Sequence, residues 1–320
     1  MYQFEKYACT KETMKDRLKM YGVAILPVLN STECRSLVSG LWDFLEHISS
    51  QWETPIRQQT LSTWREFYKL YPLHSMLIQH WGVGHIQASW DVRQNTNVAE
   101  VFAHFWECKV EDLLVSFDGI SFNLPPEVTH RGWNRKHTWY HTDQSYTTPD
   151  FKCIQGWITG MDVNDGDATL SILEGSHMYH DEFRQHFQVT DTKDWYKLNE
   201  EQEQFYLDKG CTYNHIRCPK GSLVVWDSRT IHCGIEASRE RSVPNLRAVI
   251  YVCYMPRSHA TEKQLEKKRI ALKERRTTTH DPCNVKLFPK IPRTYGGSIH
   301  EVRAVYPPVL NDLGQRLAGM

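Results

Sequence analysis

The feature that most constrains this chain is the triplet His141-Thr142-Asp143, which lies in a stretch predicted to be extended. On a β-strand, residues i and i+2 point to the same face, so the His141 imidazole and the Asp143 carboxylate would converge. Such a pair supplies two of the three ligands in the 2-His-1-carboxylate site that holds non-haem Fe(II). The triplet therefore predicts a metal site that needs one more histidine.

His232 is the candidate for the third ligand. It follows the apolar run Leu223-Val224-Val225-Trp226, which predicts a buried strand that would hold the histidine rigidly at its end. The alternative is a polar residue at the edge of a sheet.

A second triplet of similar type, His180-Asp181-Glu182, lies in a charged stretch that is predicted to be helical. On a helix, a spacing of two places side chains on different faces, so we do not expect His180 and Glu182 to bind a metal together.

Arg247 stands near the start of the apolar strand Leu246–Tyr254. A guanidinium beside such a strand is costly to bury unless it meets an anion. Its planar fork suits the carboxylate of a ligand, held by two parallel hydrogen bonds. An internal salt bridge is the alternative, and the sequence alone leaves both open.

Composition argues against several classes of protein. The 320 residues are 40% hydrophobic and carry a formal net charge of zero, which gives no electrostatic reason to expect a nucleic-acid partner. Nine scattered cysteines indicate neither a disulfide framework nor a structural zinc site. No signal peptide, long apolar run or peroxisomal signal is found, so we expect a cytoplasmic protein that does not enter membranes.

The distribution of turns and apolar runs predicts one domain, residues 1–320, with three parts. Residues 1–112 are mostly helical support, with a capping box at Asn30 and Glu33. Residues 113–256 read as short strands of a β-sandwich or jelly roll, with a helical insert at about 177–210. Residues 257–320 are a C-terminal extension, and the mixed-charge stretch Leu265–Arg276 is predicted to be a solvated helix or, alternatively, an anion-binding patch.

The ordered pattern of His141-x-Asp143, Trp157, Glu174-Gly175-Ser176-His177, Gly221 to His232 and Arg247 resembles the phytanoyl-CoA dioxygenase family of Fe(II)/2-oxoglutarate oxygenases. The resemblance covers about residues 113–256, and the segment Gly22–Leu45 is similar to the family's usual opening. It implies a mainly β fold with a helical wrapper around a double-stranded β-helix, the jelly-roll or cupin-like architecture.

The resemblance also implies roles for individual residues. His141, Asp143 and His232 match the iron ligands, and Arg247 matches the arginine that binds 2-oxoglutarate. Trp157 matches an aromatic residue near the cosubstrate, and Thr142 stands where some relatives place a glutamine that hydrogen-bonds to it. The loop before Arg247 is longer than usual in the family, which makes Arg241 a rival. We prefer Arg247 because it opens a strand.

The implied activity is hydroxylation of a C–H bond in a small polar metabolite or an amino-acid side chain, with Fe(II), 2-oxoglutarate and O2 as cofactors and cosubstrates. Succinate and CO2 would be released, and ascorbate is a candidate reductant. Asp143 favours hydroxylation or desaturation over halogenation, which needs a small residue at that position. A cupin-like zinc hydrolase or isomerase, or a binding module without oxygenase activity, is the alternative.

Overall fold

Antiparallel strands form the centre of the computed structural model, which describes residues 4–135 and 138–320. In chain order these strands are β1 (Val23–Pro27), β2 (Leu77–Ile78), β3 (Leu113–Val115), β4 (Ile120–Asn123), β5 (His141–Thr142), β6 (Ile154–Thr159), β7 (Thr169–Glu174), β8 (Tyr196–Lys197), β9 (Thr212–His215), β10 (Ser222–Asp227), β11 (His232–Ile235), β12 (Arg247–Val252) and β13 (Tyr254–Pro256).

Helices flank these strands on both sides in sequence. They are α1 (Phe4–Tyr7), α2 (Met14–Tyr21), α3 (Ser31–Ile48), α4 (Gln87–Arg93), α5 (Thr96–Trp106), α6 (Pro126–Thr129), α7 (His180–His186), α8 (Glu200–Asp208), α9 (Glu262–Lys273) and α10 (Asp312–Leu317). Short 3-10 helices lie at Leu61–Leu70, Val83–His85, Val110–Asp112, Ser176–Tyr179 and Arg257–His259.

The strands make two main sheets. The larger has the order β1-β10-β6-β12-β4-β2 and the smaller has the order β8-β5-β11-β7-β9, while β13 pairs separately with β3. Neighbouring strands are antiparallel throughout these sheets. The prediction of β-structure with surrounding helices is confirmed to this extent, and the described chain is a mixture of helices and antiparallel sheets.

The two-residue alternation of β10 shows how the larger sheet is covered. Leu223 and Val225 belong to the same apolar cluster as Leu37 and Leu41 of α3. Their neighbours Val224 and Trp226 pack instead with apolar residues of the smaller sheet, among them Ile172. Because successive side chains of a strand point to opposite faces, one face of the larger sheet meets helices and the other meets the second sheet.

Helix α3 begins as the sequence predicts. The Asn30 side chain accepts from the backbone N–H of Glu33, at 3.0 Å, and the Glu33 carboxylate accepts from the N–H of Asn30, at 2.7 Å. Such a reciprocal cap satisfies backbone donors that the first turn of a helix leaves free. One face of the helix is apolar and buried, with Leu37, Leu41 and Leu45 on it.

Helix α9 differs from the solvated helix that its charges predict. Leu265, Lys268 and Ala271 are buried on one face. The ammonium of Lys268 donates to the backbone carbonyl of Val115 and lies 4.0 Å from the centre of the Phe117 ring. The long lysine side chain therefore serves as part of the contact between α9 and the strands, with its charge in a buried position.

None of the helices in the described part of the chain is both long enough and apolar enough to cross a membrane.

Candidate metal centre

The pairing of β5 with β11 brings the predicted ligands together. His232, the first residue of β11, lies directly opposite His141, the first residue of β5. Asp143 follows β5 immediately. One ligand atom from each of these three side chains lies within 4.8 Å of the other two. The distant histidine is therefore placed by sheet register, as the buried strand before it predicts.

Their geometry is that of a small donor cluster. The Nε2 atom of His141 lies 3.5 Å from Oδ1 of Asp143, and Nε2 of His232 lies 3.5 Å from Oδ2 of the same carboxylate. Both imidazoles are about 95% buried, at 4% and 5% exposure. A metal ion bound by two imidazole nitrogens and one carboxylate on one side would keep its other side open for further ligands.

Backbone carbonyls orient both imidazoles. Nδ1 of His141 donates to the carbonyl of Trp139 at 3.1 Å, and Nδ1 of His232 donates to the carbonyl of Thr230 at 2.9 Å. A donating Nδ1 leaves Nε2 as the unprotonated atom, which is the form that binds a metal. The two carbonyls thus fix both the ring orientation and the tautomer.

The protonation states also suit a metal. Burial, together with the nearby His232, lowers the pKa of His141 to about 3, so its imidazole is neutral. Burial alone would raise the pKa of Asp143, but interactions with His141 and His232 hold that pKa below its usual range. Neutral imidazoles and an ionised carboxylate are the states that a divalent cation requires of its ligands.

A stack of rings supports His141. The Trp139 indole lies between two imidazoles, 4.0 Å from His74 at an interplanar angle of 4° and 4.7 Å from His141 at 8°. Its Nε1 donates to the carbonyl of Gly234 in β11 at 3.0 Å. The indole is therefore fixed by both strands that carry the histidines, and it limits the rotation of the His141 ring.

A cavity of about 540 Å³ opens in front of the three side chains. Its walls are largely aromatic and aliphatic, with Trp139, Trp195, Phe288, Leu73 and Leu77 among them. This volume is within the range of small-molecule binding sites.

Arg247 opens β12 opposite Asn123 and is buried. Its Nε donates to Oγ of Ser121 at 2.8 Å, Nη1 donates to the carbonyl of Ala168 at 3.2 Å, and the guanidinium lies 5.1 Å from the Trp157 ring centre. Within the described residues, no Asp or Glu oxygen lies within 4.0 Å of it. The internal salt bridge that the sequence left open is thus not formed at Arg247.

Arg241 makes that internal salt bridge instead. Its Nε and Nη2 donate to the two carboxylate oxygens of Glu127, at 2.8 and 2.6 Å, and Nη1 donates to Asp167 at 3.0 Å. Both charged partners are already in place, so Arg241 has a structural use.

The two residues that only the resemblance pointed to have different positions. Trp157 is fully buried and packs against Arg247. Thr142 is also buried, but its hydroxyl donates to the carbonyls of Ser228, at 3.1 Å, and Gln144, at 3.2 Å. Alternation on the strand turns the Thr142 side chain away from the face shared by His141 and Asp143, so the role that the resemblance implies for Thr142 stays a prediction.

Several buried donors near these residues have no partner among the described atoms. They are Nε2 of Gln155 and the indole nitrogens Nε1 of Trp157 and Trp226. Gln155 and Trp226 line the cavity, and the Trp226 ring lies 5.2 Å from that of His232. Buried donors without acceptors are costly, and together with Arg247 they form an interior suited to an anionic ligand.

The second triplet lies apart from this interior. His180 and Glu182 are both in α7, as the charged stretch predicts. His180 contacts the carbonyl of Ser145 through Nε2 and stacks on Tyr146, while Glu182 pairs with Lys209. Each side chain has its own protein partner, and the two do not converge.

Sequence reasoning missed much of the cavity wall. The C-terminal extension supplies His280, whose Nδ1 lies 4.0 Å from Oδ2 of Asp143, and it also supplies Asp281 and Lys286. Residues 50–80 supply His74 and the insert supplies Trp195. No spacing or periodicity in these segments marks them, since they reach the site only through the packing of distant parts of the chain.

Comparison with known proteins was made with both sequence and structure. The chain matches the phytanoyl-CoA dioxygenase (PhyH) family over residues 25–239. It is 31% identical over 211 residues to the Ava biosynthesis cluster protein O of Aspergillus versicolor, a match that covers 63% of this chain and 65% of the relative. The match thus spans slightly less than two thirds of that relative's length.

Solved structures share the fold at low identity. The GlcNAc-inducible gene 2 protein of Candida albicans superposes with a TM-score of 0.58 at 13% identity, covering 85% of this chain and 69% of the other. The hypothetical protein JW0805 of Escherichia coli gives a TM-score of 0.59 at 16% identity, covering 99% and 84%. With the family match over two thirds of its length, the chain belongs to the phytanoyl-CoA dioxygenase family of Fe(II)/2-oxoglutarate-dependent enzymes.

Proposed function

We propose that this protein is an Fe(II)- and 2-oxoglutarate-dependent dioxygenase that hydroxylates a C–H bond of a small molecule or an amino-acid side chain. The observation that carries the proposal is the combination of the His141, Asp143 and His232 cluster with a buried Arg247 that has no acidic partner among the described residues. A metal-binding site alone would not need the arginine, whereas a dicarboxylate cosubstrate would.

The order of the strands supports a double-stranded β-helix. The chain passes from β4 in the larger sheet to β5 in the smaller one, then to β6 and β7, and returns through β9, β10, β11 and β12. The four strands β10-β6-β12-β4 thus face the four strands β5-β11-β7-β9. We propose that residues 1–320 form a single oxygenase domain around this core.

His141, Asp143 and His232 would hold the iron. The donor set fits ferrous iron in the 2-His-1-carboxylate arrangement, and Trp139 and the backbone carbonyls of residues 139 and 230 keep the two imidazoles in place. With 2-oxoglutarate and O2, the iron supplies the oxidation of the substrate, coupled to the release of succinate and CO2. Since Asp143 is a carboxylate, the site is suited to hydroxylation rather than to halogenation.

Arg247 would bind the distal carboxylate of 2-oxoglutarate. Its contacts with Ser121 and the Ala168 carbonyl fix the guanidinium, and the Trp157 ring covers one side of it. The unpartnered Nε2 of Gln155 offers a further donor to an anionic cosubstrate. These groups position the cosubstrate and keep water out, which strengthens their interaction with its negative charge.

The test is conversion of 2-oxoglutarate to succinate by purified protein supplied with Fe(II), O2 and ascorbate, alone and with a pool of metabolites and peptides. We expect succinate formation that increases when the pool contains the substrate. Absence of succinate in every condition, from protein that has bound iron, would contradict the proposal. It would favour a cupin-like hydrolase or binding protein.

A further inference from the structure

Four carboxylates line the cavity: Asp118, Asp143, Asp194 and Asp281. Asp143 faces the two histidines of the metal centre. Asp194 lies 3.2 Å from the ammonium of Lys152 and 3.1 Å from that of Lys286, and Asp281 lies 3.7 Å from Lys152. Asp194 and Asp281 therefore each have a lysine beside them, and Asp143 lies at the proposed metal site.

Asp118 is different. Its Oδ1 accepts from the backbone N–H of Gly119 at 2.6 Å, and among the described residues no Lys, Arg or His nitrogen lies within 4.0 Å of its carboxylate. The nearby Arg93 gives its donors to backbone carbonyls, those of Gly84, Asp118 at 2.7 Å and Tyr251 at 3.5 Å. Among the described residues, Asp118 is thus a cavity carboxylate that lacks a direct ion pair, although Arg93 and His280 are close enough to interact with its charge.

We propose that Asp118 binds a cationic nitrogen of the substrate, a protonated amine or a guanidinium, while the apolar body of the substrate lies against the aromatic walls of the cavity. The proposal rests on the proposed oxygenase function and adds the class of substrate to it. A carboxylate with little access to water is stabilised strongly by an opposite charge at hydrogen-bonding distance. Burial raises the pKa of Asp118, and the Gly119 N–H, His280 and Arg93 offset this only in part.

The remaining walls suit such a molecule. Trp139, Trp195 and Phe288 present aromatic rings, whose faces attract cations and pack against apolar groups. Trp195 is 51% exposed, so its ring is accessible to a ligand in the cavity. His280 neighbours both Asp118 and Asp143, so the proposed cation site lies beside the metal centre.

The lysines of the cavity do not favour an anionic substrate. Lys286 is paired with Asp194, and the Lys193 side chain is 81% exposed and 4.0 Å from Asp191. The charge of Lys286 is offset by Asp194, and that of Lys193 by Asp191 and by solvent. Asp118 lines the same cavity, and among the described residues it has no such ion pair.

The experiment is calorimetric titration of the Fe(II)- and 2-oxoglutarate-loaded protein without oxygen, with tryptamine and phenethylamine against the uncharged tryptophol and 2-phenylethanol. We expect each amine to bind about tenfold more tightly than its alcohol, the effect of one charge-assisted hydrogen bond. Asp118→Asn should abolish that preference while keeping an acceptor for the Gly119 N–H. Asp194→Asn, which changes a paired carboxylate of the same cavity, should retain it.

Equal binding of amines and alcohols to the wild-type protein would overturn the proposal, as would an amine preference that survives in Asp118→Asn. Tighter binding of 3-phenylpropionate than of phenethylamine would also overturn it and would assign the rim lysines to the substrate. The comparison of amines with alcohols in the wild-type protein tests the proposal even if Asp118→Asn does not fold. Because succinate formation is measured separately, failure of the oxygenase function is distinguishable from failure of the cation site.

Discussion

The same residue types occur in two regions of this molecule with opposite surroundings. In the interior between the sheets, His141 and Asp143 line the cavity, and Arg247 is buried against Trp157 with no acidic partner among the described residues. Outside it, His180, Glu182 and Arg241 each have a protein partner, namely the carbonyl of Ser145, Lys209 and the pair Glu127 and Asp167. The two regions differ in the secondary structure that carries these residues. Strands bring the side chains of the first region together, whereas the helix and the loop of the second region leave them apart. The functional assignment of such a residue therefore depends on whether the fold provides it with a partner from the protein.

The largest expected effect comes from removing the carboxylate of the interior triplet. Asp143→Ala should lower 2-oxoglutarate turnover by more than about 100-fold, because loss of a ligand exceeds the 10- to 100-fold cost of disturbing its supports. The rate of succinate formation measures this turnover. The matched change Glu182→Ala removes an exposed ion pair and should leave turnover unchanged. Equal turnover in both variants would contradict the distinction between the triplets.

Substitution of Arg247 and substitution of Arg241 should have different effects. Arg247→Ala should raise the KM for 2-oxoglutarate about 30-fold, since it removes a buried charge partner worth about 2 kcal/mol. Arg241→Ala should leave that KM unchanged in folded protein but lower the free energy of unfolding by about 3 kcal/mol, because Glu127 and Asp167 lose their cation. Steady-state kinetics and urea unfolding measure the two quantities. A raised KM in Arg241→Ala alone would reverse the assignment.

The smallest expected effect concerns the ring stacks. Trp139→Leu should weaken Fe(II) binding about tenfold, because the indole supports the ligand His141 and its loss frees the imidazole. Tyr146→Leu removes the ring that stacks on His180, 4.3 Å between centroids, and should lower stability without changing iron affinity. Titration with Fe(II) under anaerobic conditions measures both. Unchanged iron affinity in Trp139→Leu would show that the indole has no positioning role.

Local periodicity was enough to predict the centre of the site. The spacing of His141 and Asp143 and the buried strand before His232 required only two-residue alternation and the burial of apolar runs. The same alternation places the Thr142 side chain on the opposite face, where its hydroxyl donates to the carbonyls of Ser228 and Gln144. The role of Thr142 toward the cosubstrate rests on the resemblance alone.

The rest of the cavity depends on packing between distant segments. His74, Trp195 and His280 come from three parts of the chain that show no recognisable motif, and they meet only because the connecting segments dock against the sheets. The role of Lys268 was hidden in a similar way, since its helix has the charge pattern of a solvated one. Contacts between residues far apart in sequence are set by the three-dimensional fold, and a single sequence gives little information about them.

The central claim is that the interior triplet holds iron next to a site for 2-oxoglutarate. Anaerobic addition of Fe(II) to the protein with 2-oxoglutarate, followed by visible absorption, tests it most directly, because bound iron and 2-oxoglutarate give a charge-transfer band. We predict a band that saturates at one equivalent of iron, that is retained in Glu182→Ala, and that is lost in Asp143→Ala. Absence of the band in the wild-type protein, or an unchanged band in Asp143→Ala, would contradict the claim.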